Sequence, residues 1–316
     1  MNSRSSLPSI VVVIAAAGFV ACVDDGDGHR HRHGYDESSI VFGIDETKGA
    51  DGKVTTSVGY EMIDVLGRGS RARGVVTSAS SCWAENLDDR VGQPHVEGGV
   101  AVFRGGLLPA NGIAVVANRA DDLKLDGPAW TNAGDPLTFE SKGFVMPDIA
   151  PATIKMPSQT LAVASPADAA ANVALASSQD FVVTWDAGDP NAPPENVVVS
   201  LTSVPAGAAP NAHGTELRCF FDRSAGTGTI PARLVGRFYT LLGGGQANAA
   251  AAEAGAPADA SADAGANANA PSTPGAITGR LHVATHQQLT IFAKGGWTVY
   301  VVATAEQRDQ PFSLTP

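Results

Sequence analysis

The chain is poor in cysteine, in charge and in long apolar runs. Three cysteines in 316 residues are too few for a fold held by a disulfide framework. Charged residues make up only 17% of the chain, and 32 acidic against 21 basic residues leave a net charge of -11. Without a basic excess there is no electrostatic footprint for non-specific nucleic-acid binding. No apolar run reaches the length of about 20 residues that a membrane-spanning helix needs. Also missing are a Gly-x-Ser-x-Gly elbow, a His-Glu-x-x-His pair and a phosphate loop. No cofactor is expected. What is plentiful is Gly (35) and Pro (20), which favours turns over long helices, together with a 44% hydrophobic fraction that can fill a core.

The N-terminus reads as an address. Arg4 and the terminal amine precede a thirteen-residue apolar run, Ser9 to Ala21. That run is too short to cross a bilayer and suits the apolar region of a secretory signal, with small Ala21 where cleavage would fall. Phe19-Val20-Ala21-Cys22 resembles the lipobox of bacterial lipoproteins, although Phe19 stands where Leu, Val or Ile is usual. The resemblance implies that residues 1–21 are removed and that Cys22 is acylated and becomes the first mature residue. The partner would then be a membrane, reached through the N-terminal lipid. Stable anchoring needs more than one acyl chain, and this family carries three. Val23 follows the cysteine, with Asp24 one place later, and the family's sorting pattern then points to the outer membrane.

Residues 22–37 read as a flexible tether, because Asp24 to Glu37 holds no aliphatic side chain to bury. His29, His31 and His33 alternate with Arg30 and Arg32. The histidines are the weak metal-capture candidates of the sequence. The two fixed positive charges between them oppose a cation, and a solvated tether is the simpler reading. Asp25-Gly-Asp resembles the opening of a calcium loop, but Arg30 stands where that loop requires Gly.

From Ser39 onward the apolar residues recur with period two or in short runs. Strands are predicted at Ser39–Ile44, Val54–Met62, Gly74–Ala79, Gly99–Arg104, Gly112–Ala117, Leu123–Leu125 and Leu137–Glu140, separated by Gly, Pro, Asn and Asp. Pro147, Pro151, Pro157 and Pro166 mark an extended crossing from Phe144 to Ala176. A second block opens with Asp180–Asp186, where Phe181, Val183 and Trp185 share a face. It continues with Asn196–Leu201, where Val197, Val199 and Leu201 do the same. This pair resembles early strands of immunoglobulin-like and fibronectin type III domains. Leu217–Asp222, Gly279–Ala284, Gln288–Ala293 and Trp297–Ala303 complete the strands. One short helix is predicted at Thr229–Phe238, with Leu234, Val235 and Phe238 on one face and Gly236 inside it. Fifteen of the 31 residues in 246–276 are Ala and none is a large apolar residue, so a disordered insert is expected there.

The expected fold class is all-β: two β-sandwich domains, immunoglobulin-like or related. Domain 1 takes 38–160, a linker takes 161–177, and domain 2 takes 178–316 with the insert and the helix.

Candidates for chemistry are few. Gly67-Arg-Gly-Ser-Arg-Ala matches a dinucleotide string, but strand-like residues follow it where a helix is required. His95 with Glu97, and His282 with His286, would each share one face of a strand. Neither pair shows a third ligand or a nucleophile. Cys82 and Cys219 lie 137 positions apart, one in each block. Outside the cytoplasm they can pair, or they can pack as two buried thiols. The expected role is non-enzymatic: an envelope protein that binds an envelope protein or glycan, or that serves structurally. The alternative is an envelope hydrolase or carbohydrate-active protein on a β scaffold.

Overall fold

Period-two alternation dictates strands, and a computed structural model places sixteen of them with one α-helix among the described residues. The structure describes residues 39–49, 51–63, 81–86, 99–116, 123–143, 147–168, 170–189, 194–203, 214–243 and 276–316. The signal region, the tether, the predicted strand at 74–79 and nearly all of the Ala-rich insert lie outside them. The chain is mostly β, as its composition and periodicity predict.

The largest sheet has nine strands. Its path begins with β3 (Cys82–Asn86), β13 (Thr215–Asp222), β12 (Asn196–Ser203) and β15 (Ile277–Phe292). It ends with β16 (Thr298–Thr315), β1 (Ser39–Lys48), β2 (Val54–Ile63) and β6 (Leu123–Asp126). β1 lies parallel to Thr298–Ala305 of β16, and β10 (Val173–Ala176) lies parallel to Phe312–Thr315 at its other end. A four-stranded sheet has the order β5 (Ile113–Val116), β4 (Val100–Gly105), β7 (Pro136–Lys142), β8 (Ile149–Lys155). A three-stranded sheet has the order β14 (Thr227–Ile230), β11 (Phe181–Trp185), β9 (Val163–Ser165). Pro151 is tolerated because β8 is an edge strand.

Two cores result. In the first, Phe103, Leu137 and Phe139 of the four-stranded sheet pack with Phe42, Val299 and Val301 of the large sheet. In the second, Val183 and Trp185 of β11 and Val235 and Phe238 of α1 (Ala232–Leu241) pack with Val199, Leu217 and Phe312 of the large sheet. The expected division into separate sandwiches at 161–177 does not appear. β1 and β2 share one sheet with β12 and β13, because β15 and β16, at 16 and 18 residues, extend about 50–60 Å and run beneath both cores. The expected linker itself contributes β9 and β10. The two strands that resemble early immunoglobulin-like strands, β11 and β12, fall in different sheets that meet across the second core.

The helix begins three residues later than predicted. Thr229 belongs to β14, Pro231 precedes the first turn, and the free N–H of Ala232 is satisfied by Asp180 Oδ1 at 2.7 Å. Gly236 lets the helix approach closely, since a Cβ there would lie 3.2 Å from the Ser177 carbonyl oxygen.

One irregularity governs the hairpin of β15 and β16. Val283 pairs with Arg308 and Ala284 with Glu306, so Gln307 is an extra residue. The residues of β16 that enter the two cores are odd-numbered before it (Val299, Val301, Ala303, Ala305) and even-numbered after it (Phe312, Leu314), while buried Val302 packs with Val41 on the other face. The bulge thus keeps both halves of the strand facing the cores. Gln307 itself donates from Nε2 to the Ser158 carbonyl at 3.2 Å, on the crossing segment between the cores.

Candidate functional site

The same bulge shapes the opposite face. Residues 306 and 309 of a regular strand would point to opposite sides. With Gln307 inserted, Glu306 pairs with Ala284 and Asp309 with His282. His282 and Ala284 are two apart on β15, so both carboxylates join His282 on the face away from the cores.

His282 Nδ1 lies 3.5 Å from Asp309 Oδ1 and 3.9 Å from Glu306 Oε1. The three ligand-type atoms all fall within 4.8 Å of one another. The side chains of His282, Glu306 and Asp309 are 30%, 20% and 34% exposed, so the cluster is half-covered yet reachable. His282 Nε2 sits 3.3 Å from Thr202 Oγ1, and that hydroxyl donates at 3.5 Å to the Arg280 carbonyl. Arg280 grips Asp309, with Nε on Oδ1 at 2.7 Å and Nη2 on Oδ2 at 2.6 Å. Arg280 pairs with Pro311 and Ala284 with Glu306, so Arg280 and Glu306 flank the His282–Asp309 pair from opposite sides.

His282 and His286 do lie on one face, as their spacing predicts, but they form no common site. His286 pairs with Thr304, about 13 Å along the strand from His282. It is fully buried, with its ring 5.1 Å edge-on from that of Phe220. Its Nε2 has no hydrogen-bond partner. Burial, aided by the charge of Arg218, pushes its pKa down to about 3, so the ring is neutral at ordinary pH. Further along the sheet, Arg218 and Ser200 continue the row that contains His282, and Arg218 Nη2 holds Glu216 Oε1 at 2.7 Å.

Cys82 and Cys219 are joined by a disulfide. They are directly opposed residues of β3 and β13, so the bond links neighbouring strands of one sheet rather than two domains. Cys22, His29, His31, His33, His95, Glu97 and the Gly67–Ala72 string lie outside the described residues.

Sequence reasoning found His282 but missed Thr202, Arg280, Glu306 and Asp309. The one signal that points to the carboxylates is the change of apolar parity between Ala305 and Phe312, which marks a bulge and turns two acids three positions apart onto one face. Comparison with family models, with curated proteins and with solved structures finds no match to this chain.

Proposed function

We propose that the chain is a lipid-anchored protein of the bacterial cell envelope. Cys22 carries the lipid, the histidine-bearing tether spans to the β unit, and the β unit binds an envelope partner or serves a structural role, most simply at the outer membrane. The observation that carries this reading is the Ser9–Ala21 apolar run closing on Phe19-Val20-Ala21-Cys22. The Cys82–Cys219 disulfide supports it, because such bonds persist outside the reducing cytoplasm. The test is to label cells with a fatty-acid probe and compare the wild type with Cys22→Ala. Label on the wild type alone is the expected result, and equal labelling of the two overturns it.

A second reading, a hydrolase on a β scaffold, is favoured by the Thr202–His282–Asp309 alignment described above. Against it, both Asp309 oxygens are bonded to Arg280. Thr202 also lies inside a strand paired on both sides, without the strained turn that exposes a nucleophile. Ester hydrolysis that disappears in Thr202→Val would favour this reading over the first.

A further inference from the structure

We infer that His282, Glu306 and Asp309 form a binding site for a divalent transition cation of the zinc class. The site is independent of the anchoring reading and of the tether histidines.

Zinc binds imidazole nitrogen and carboxylate oxygen at 2.0–2.2 Å, which sets ligand atoms about 3.4 Å apart at the corners of a tetrahedron. Nδ1 of His282 is already 3.5 Å from Asp309 Oδ1 and 3.9 Å from Glu306 Oε1. All three ligand atoms lie within 4.8 Å of one another, so side-chain rotation alone brings them to the three corners. The donor set of one imidazole and two carboxylates suits zinc and its neighbours better than calcium, which takes oxygen alone.

A second observation is the direction of the histidine. Nε2 of His282 lies 3.3 Å from Thr202 Oγ1, on the ring edge remote from the carboxylates, so Nδ1 is the nitrogen turned towards Asp309 and Glu306. With the Thr202 hydroxyl donating to the Arg280 carbonyl, its oxygen can accept Nε2–H, and a cation would then meet the lone pair of Nδ1. A polar contact on the remote ring nitrogen is also how metal-bound histidines are oriented.

Arg280 is compatible with this arrangement. It approaches Asp309 from the Pro311 side, whereas Glu306 and the space between the three donors lie on the other side. Oδ1 already accepts from Arg280 Nε at 2.7 Å, and a carboxylate oxygen has a second lone pair with which Asp309 can ligate while Arg280 Nη2 holds Oδ2. The bulge at Gln307 is what the site depends on, since without it Glu306 would face the cores.

The test uses the mature chain with its disulfide intact, stripped with a chelator and titrated with zinc chloride by equilibrium dialysis. His29, His31 and His33 are replaced by Ala in all samples to remove tether binding. The expected result is one bound zinc per chain, with Glu306→Gln and His282→Ala each weakening it at least about tenfold. Far-UV circular dichroism and thiol counting establish that the variants are folded. If His282→Ala fails to fold, the isosteric Glu306→Gln decides the outcome. A tether-substituted chain that binds no zinc, or a folded Glu306→Gln chain that binds as tightly as its parent, overturns the inference.

Discussion

Glu46 Oε2 accepts a 2.6 Å hydrogen bond from Gln159 Nε2, tying β1 to the crossing segment across 113 positions of sequence. Its Oε1 accepts from the backbone N–H of Ala129 at 2.6 Å and of Trp130 at 3.4 Å. Glu195 does the equivalent on the other side of that segment. It accepts from the Ser158 N–H and pairs with Arg223. Thr285 Oγ1 donates to the Ser158 carbonyl from the large sheet below. The chain between the two cores is therefore held by side chains, where a ladder of backbone bonds is absent among the described residues.

Removing Glu46 should destabilise the fold. Glu46→Ala strands the Ala129 N–H and leaves the Gln159 amide with only its 2.7 Å bond to the Trp130 carbonyl, in a site where Glu46 itself is 4% exposed. Each buried donor without a partner costs about 1–3 kcal/mol, so a loss of about 2–4 kcal/mol is expected in urea unfolding. The charge has its own pH signature. Burial raises the carboxyl pKa above 4.5 despite the Ala129, Gln159 and Trp130 bonds that pull it down. Above pH 4.5 the native state then holds the proton longer than the unfolded chain. Stability contributed by this group is thus full below 4.5 and lost as pH rises through the native value. Glu46→Gln should remove that slope; parallel stability curves for the two proteins above pH 4.5 would contradict it.

Reduction of the Cys82–Cys219 bond should cost about 5 kcal/mol, because it releases a closed loop of 137 residues in the unfolded chain. The comparison is the urea midpoint of the oxidised protein against that of Cys82→Ala/Cys219→Ala, which avoids placing a polar serine at the fully buried Cys219. A double variant that matches the oxidised protein would show that the unfolded chain is compact without the bond.

The strands of the second core were legible wherever apolar residues alternate, as at Val197, Val199 and Leu201, which are all fully buried. The end of β16 was hidden. The predicted strand stops at Ala303, before the polar run Glu306–Gln310, yet Arg308 donates to the Val163 and Pro166 carbonyls, and the strand continues to Thr315. Local pattern could not reveal the parallel pairing of β1 with β16, because strand partners some 260 positions apart leave no periodic trace. The same bulge that hid the strand also hid the carboxylates of the candidate site.

Gly279 lies against that site's supporting strand. A Cβ there would sit 2.2 Å from the Thr202 carbonyl oxygen and 2.6 Å from the Phe312 ring. Backbone cannot yield as a flexible side chain can, so Gly279→Ala should lose about 1–3 kcal/mol through overpacking. Thermal unfolding measures it, with Thr278→Ala as the neighbouring control.

His286 should make the protein acid-sensitive. The unfolded imidazole takes a proton near pH 6.5, whereas the buried native ring does so only near 3. Between those values the unfolded state binds more protons, so stability falls as pH falls, by up to about 1.4 kcal/mol per pH unit. This runs opposite to the Glu46 contribution, which declines as pH rises. His286→Leu keeps an apolar group against Phe220 and removes both the titration and the unpartnered Nε2. Its urea midpoint should therefore drop less than that of the wild type between pH 6.5 and 4.5. Equal drops would mean that the native ring accepts a proton as readily as the unfolded one, which the burial against Phe220 and the neighbouring Arg218 charge both oppose.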